Sequence, residues 1–145
     1  MTRAEVVAIA RSLLVKRVKF RPYGRSPEYG LDCLGVVIWT GREAGLLPPE
    51  QVKPIPPYAF PPSTENFELL KDFLVPVEEI SPASVVVFTA TDMLPRHVGF
   101  VSHRGASGAW RLIGSIPGSL AIGEFGLLFG LSNHIYAIYD YPDIA

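Results

Sequence analysis

Apolar residues near the start of the chain recur at helical spacing. Val6, Ile9, Ala10 and Leu13 fall on one face, which predicts an amphipathic helix over residues 3 to 17. Thr2 and Glu5 stand in Thr-x-x-Glu order, a capping box that starts such a helix. Two prolines and two glycines in KFRPYGRSPEYGL then break the period and predict a loop. A second helical pattern follows, with Leu34, Val37, Ile38 and Gly41 on one face and Ala44 just beyond. Asp32 is placed to cap it and Gly45 to end it. Gly35 and Gly41 are costly inside a helix, so their presence predicts close packing there.

The pattern then changes character. Residues 48 to 62 hold seven of the fourteen prolines, which predicts an extended surface excursion. TENFELLKDFL predicts a short helix capped by Ser63 or Thr64. Beyond it the runs become β-rich: SVVVFTA (84–90), HVGFVSH (97–103), AWRLIGSI (109–116) and HIYAIYDY (134–141). HRGASGA reads as a hairpin turn between the middle two. The apolar, glycine-spaced stretch 118–131 fits neither period, so no element is assigned to it. Helices first and strands later predict an α+β fold with an antiparallel sheet. Residues 1–145 are expected to form one domain, with the excursion at about 48–62 on its surface.

Composition narrows the classes of function. Hydrophobic residues make up 48% of the 145, enough for a sizeable core. A net charge of −1 gives no general attraction to nucleic acid or to an anionic membrane, so neither is expected as a partner. No apolar run is long enough to span a membrane, and the charged N-terminal helix does not fit a signal peptide. A lone cysteine excludes an intrachain disulfide framework. Three scattered histidines and one cysteine lack metal-ligand spacing, so neither metal nor cofactor is expected.

The cysteine is Cys33, at the predicted start of the second helix. The partial positive charge of a helix N-terminus favours the thiolate, and its free N–H groups can hold an oxyanion. A buried apolar role is the alternative for any lone cysteine. A base would come from His97, His103 or His134. His97 opens a strand at the mouth of a loop, His103 adjoins the predicted turn, and His134 opens the last strand.

FRPYGRSPEYGLDCLGVVIW, with Gly30, Asp32, Cys33 and Gly35, resembles the cysteine motif of the NlpC-type cell-wall peptidases. ISPASVVVFTATDMLPRHVGFVSH resembles their histidine motif. The resemblance covers nearly the whole chain and implies a papain-like α+β fold. In it the nucleophile sits at a helix N-terminus packed on an antiparallel sheet. It implies Cys33 as nucleophile and His97 as general base, with Asp32, Tyr23 and Arg25 supporting substrate or oxyanion. Phe20, Arg21, Gly24 and Arg25, with the closing IYAIYDYPD, resemble the phage tail-tip branch. That branch implies a virion-borne cysteine peptidase, made in the host cytoplasm without a signal peptide. It would cut peptidoglycan stem or cross-link peptides during genome delivery, with other tail-tip or hub proteins as partners.

The family's third polar residue, which orients the histidine, is matched here by Gly114. Glycine has no side chain to do this. The turn that is usually Pro-Gly-Asp reads Pro82-Ala83-Ser84. A catalytically degenerate relative, kept as a structural part of a tail tip, is therefore the alternative.

Overall fold

The structure, a computed structural model, describes residues 1–48, 55, 57–58, 62–89, 95–115, 120–127 and 134–145. Helix α1 (Arg3–Val15) begins where Thr2 Oγ1 accepts from the Glu5 N–H at 3.2 Å. The Glu5 carboxylate takes the Thr2 hydroxyl rather than its backbone N–H, so half of the expected box forms. Val6, Ala10 and Leu13 are buried as the periodicity predicted. Arg17, in the left-handed region at φ 53°, prevents the helix from running to the predicted 17.

A short hairpin, β1 (Arg25–Ser26) and β2 (Gly30–Leu31), leads into helix α2 (Cys33–Glu43). Gly35 and Gly41 are small for the predicted reason. A Cβ on Gly35 would lie 2.1 Å from the Gly24 carbonyl oxygen. One on Gly41 would lie 2.5 Å from Leu47 and 2.6 Å from the Tyr141 ring. The Tyr141 hydroxyl then donates to the Val37 carbonyl at 2.7 Å, pinning the C-terminal segment to α2. Gly45, at φ 72°, follows the helix end as expected.

Most of the proline-rich stretch lies outside the described residues; within it, Ile55 is buried and Tyr58 half-buried. Helix α3 (Thr64–Glu68) is capped by a reciprocal Ser63–Asn66 box and runs into a 3-10 turn at Leu69–Asp72. Then come β3 (Val75–Pro76), β4 (Val85–Thr89), β5 (Pro95–Arg104), β6 (Trp110–Ser115), β7 (Ile122–Gly126) and β8 (Ile135–Asp140). They form one antiparallel sheet in the order β3-β8-β4-β5-β6-β7. Four strands match the predicted β-rich runs. Of the other two, β7 comes from the unassigned glycine-spaced stretch and the two-residue β3 was not predicted. Segment 18–20 lies along its edge: the Ile122 N–H donates to the Val18 carbonyl (2.9 Å) and the Phe20 N–H to that of Leu120 (3.0 Å).

Alternation divides each strand between two faces. Val85, Val87, Val98, Phe100 and Ile113 join the core beneath the helices. Val86, Phe88, Val101 and Leu112 form a second cluster, with Phe125 packed against it. Arg3 ties α1 to the sheet through Asp140 (2.6 Å) and the Pro82 carbonyl (2.9 Å), and the Ser84 hydroxyl donates to the same carboxylate at 2.8 Å.

Adjacent residues of α2 generate opposite predictions. A methyl group added by Gly41→Ala meets Leu47 and Tyr141, so stability falls by about 1–3 kcal/mol. Among the described residues, the buried Thr40 hydroxyl has no hydrogen-bond partner. Thr40→Val removes that group at constant shape and raises stability by about 1 kcal/mol. Urea unfolding of both variants reads the two signs.

Candidate active site

The start of α2 is built around one carboxylate. Asp32 is almost fully buried and caps the helix, its Oδ1 accepting from the Gly35 N–H at 2.7 Å. The same oxygen accepts from Arg25 Nη1 at 2.9 Å. Oδ2 accepts from the Tyr23 N–H at 3.2 Å and from the Tyr58 hydroxyl. Arg25 Nη2 donates to the Tyr58 oxygen at 3.0 Å. The Arg25 guanidinium lies 4.3 Å from the Tyr23 ring centre, so a cation–π contact adds to the ion pair. Tyr23 stands at φ 55°, a conformation costly for a side chain with a Cβ, and its N–H bond to Asp32 helps hold it there. Burial, with the Asp32 charge second, pushes the Tyr58 hydroxyl pKa up, so it stays a donor.

Three residues expected at the site, Asp32, Tyr23 and Arg25, therefore meet in one cluster. Their contacts define what they do. The Tyr23 hydroxyl donates to the Ile55 carbonyl at 2.8 Å, which occupies its proton. Arg25 and Asp32 neutralise each other. Tyr58 was not singled out from sequence. It lies in a proline-rich segment without periodicity, and only a tyrosine flanked by prolines marks it.

Cys33 follows Asp32 and is 5% exposed. Burial pushes its thiol pKa up to about 12, and the Asp32 charge adds to the rise. The backbone N–H groups of Val98, Leu34 and Cys33 itself pull it the other way. Contact with the Val98 N–H places the thiol against β5; His97, the preceding residue of that strand, turns its side chain to the opposite face.

His97 shares the sheet face of Phe88, its cross-strand partner. Its ring stacks 6.2 Å from Phe88 and lies 6.3 Å from Phe125. Burial among these rings pushes its pKa down to about 4. Among the described residues, no hydrogen bond joins the imidazole to the thiol. Gly114 shares this face: a Cβ there would lie 3.9 Å from Phe125 and 4.0 Å from Gly99, ordinary contacts. An aromatic ring thus stands beside His97 where the resemblance implied a polar group. Phe125 was missed because its strand was not predicted.

The other histidines stand apart. His103 Nδ1 lies 2.9 Å from the Ser102 hydroxyl and 3.8 Å from Glu124. The His134 carbonyl accepts from the Thr89 N–H at 2.7 Å. Among the described residues, no cluster of His, Cys, Asp and Glu could hold a metal ion.

Among the solved structures that match this arrangement of helices and sheet, one does so over 97% of the chain. It is a lipoprotein-like protein of the NLP/P60 family from Staphylococcus aureus, with a TM-score of 0.59 and 17% identity. The fold is NLP/P60-like. The chain spans 42% of that protein's length. No family model and no curated protein matches the sequence. Cys33 opens the core helix α2, and His97 is the third residue of the central strand β5, which begins two residues earlier than expected, at Pro95.

His97 also generates a pH dependence. Its ordinary pKa is 6.5 and its folded value is about 4, so the unfolded chain takes up a proton that the folded chain refuses. The stabilisation is complete above pH 6.5 and lost as pH falls toward 4. It amounts to roughly 3 kcal/mol. His97→Leu therefore has a flatter stability profile across that window, as read by urea unfolding at several pH values.

Proposed function

We propose that this chain is a peptidoglycan peptidase of the phage tail-tip type. Cys33 is its nucleophile and His97 its general base. The observation that carries the reading is Cys33 at the Asp32-capped start of a core helix packed on β5, the strand that also holds His97, on an NLP/P60-like fold. The phage-tail assignment rests on the loop around Phe20, Arg21, Gly24 and Arg25 and on the closing strand. On this reading the protein acts in the host envelope from the virion, beside other tail-tip or hub proteins.

The chemistry follows from the two groups. At neutral pH both are uncharged, and with the thiol near 12 and the imidazole near 4 proton transfer between them is uphill in the resting protein, so substrate binding has to bring the two values together before His97 acts. It takes the thiol proton as sulfur attacks the peptide carbonyl carbon. N–H groups of the first turn of α2 stabilise the oxyanion. The intermediate collapses with loss of the amine, which receives the proton from His97. Water then hydrolyses the thioester and frees Cys33. For this sequence His97 leaves the slot between Phe88 and Phe125 when substrate binds.

A second reading is favoured by that slot. A histidine fixed between two aromatic rings, without a side chain at Gly114 to orient it, suits a structural descendant that no longer cleaves.

The two readings separate on purified sacculi. A working peptidase releases soluble muropeptides, and Cys33→Ala reduces release to background while leaving the circular dichroism unchanged. Equal release by both proteins, or none by either, overturns the peptidase. Alkylation supplies a second measure. A thiol with a pKa near 12 reacts slowly with iodoacetamide at pH 8 in the free protein. Peptidase action requires that a bound stem peptide accelerate this labelling or block it outright. A rate unchanged by peptide favours the structural reading.

A further inference from the structure

The positive charges of this nearly neutral chain are unevenly committed. Arg3 pairs with Asp140, Arg11 and Arg111 with Glu124, Arg25 with Asp32 and Lys71 with Glu68. Arg104 covers the Trp110 ring. Lys16, Arg17, Lys19 and Arg21 differ: all four are exposed, and none forms an ion pair among the described residues. Six consecutive positions thus hold four uncommitted cations.

Their backbone is fixed, so the charges form a ridge. Val18 is buried, and Phe20 is half-buried. Lys19 bridges Ala121, and Phe20 bridges Leu31. The Arg21 N–H donates to the Leu31 carbonyl at 3.1 Å, and the Leu31 N–H to that of Lys19 at 2.9 Å. Lys19 and Arg21 therefore project from the same side of an extended segment, roughly 7 Å apart. Lys16 and Arg17 sit at the negative end of α1, which itself attracts cations. Lys19 and Arg21 lie beyond that end and have no such counterpart.

The ridge joins two depressions. One, of about 480 Å³, is lined by Arg11, Ser12, Val15 and Lys16 on α1. The other, of about 400 Å³, is lined by Arg21, Tyr23, Ser26 and Tyr29, on the loop that caps Cys33. A linear polyanion laid from one to the other meets the four cations in turn and ends beside the Asp32–Cys33 helix start. Paired Leu31 lies two residues from Cys33.

We propose that residues 16–21 form a binding ridge for a phosphodiester polyanion of the polyol-phosphate type. Four point charges within six residues suit a flexible chain with one negative charge per repeat. Within residues 16–21 no aromatic side chain is exposed, and the one exposed ring at the end of the path is Tyr29, so few nucleic-acid bases could stack along it. Such binding holds the protein on a phosphate-rich surface independently of any cleavage.

The test measures binding of poly(glycerol phosphate) to full-length Cys33→Ala protein, so that catalysis has no bearing on it. Binding is expected at low salt and weakens as salt rises. Four contacts give a log–log slope of roughly −2 to −3. Lys19→Glu combined with Arg21→Glu reduces affinity on the order of tenfold or more, with the melting temperature unchanged. If that pair disturbs folding, Lys16→Gln with Arg17→Gln replaces it and lowers the slope by about 1.4. Absent binding, a slope near zero or undiminished affinity in a folded variant overturns the proposal. So does equal or tighter binding of a single-stranded oligonucleotide of matched charge.

Discussion

The Asp32 carboxylate is the constraint on which the rest of the site depends. Its two oxygens take four donors from four places in the chain: Gly35, Arg25, Tyr23 and Tyr58. Those donors come from the first turn of α2, the loop before it and the proline-rich segment after it. A buried carboxylate is tolerated only when so satisfied, because removing one partner exposes the full cost of an unpaired charge. The glycines serve the same joint. Gly24 and Gly35 let the loop backbone come close enough for Asp32 to reach both. Arg25 supplies the opposite charge from within the hairpin.

The same carboxylate opposes the chemistry it supports. It fixes the helix start whose N–H groups favour a thiolate, yet its negative charge is the second cause of the raised Cys33 pKa. The larger cause is burial. Both push toward a neutral thiol, and burial likewise holds His97 neutral. The resting protein is therefore a neutral thiol and a neutral imidazole, each kept so by exclusion of water. Any activity has to come from what a ligand changes at the two groups.

Legibility from sequence followed periodicity. α1, α2 and strands β4, β5, β6 and β8 lie where the 3.6- and two-residue patterns put them. Asp32 was readable as a cap because it precedes an apolar helix. Gly35 and Gly41 were readable as close contacts because glycine is otherwise costly there. β7 was not readable: its glycines and its setting in an apolar run obscure alternation, and its place is fixed by pairing with β6. Phe125 stayed hidden with it, and so did the aromatic slot around His97. Tyr58 was hidden for a different reason. Its role depends on a long-range contact with Asp32, 26 residues away, and no local pattern encodes that.

Among the described residues, both margins of the sheet are partly blocked to further strands. At one, β3 is two residues long and includes Pro76, which has no N–H to offer. At the other, segment 18–20 already occupies the beginning of β7. The backbone thus offers little template for another chain to add a strand. Any quaternary contact made by this fold has to be written in side chains, where sequence can tune it, and not in the generic language of main-chain pairing.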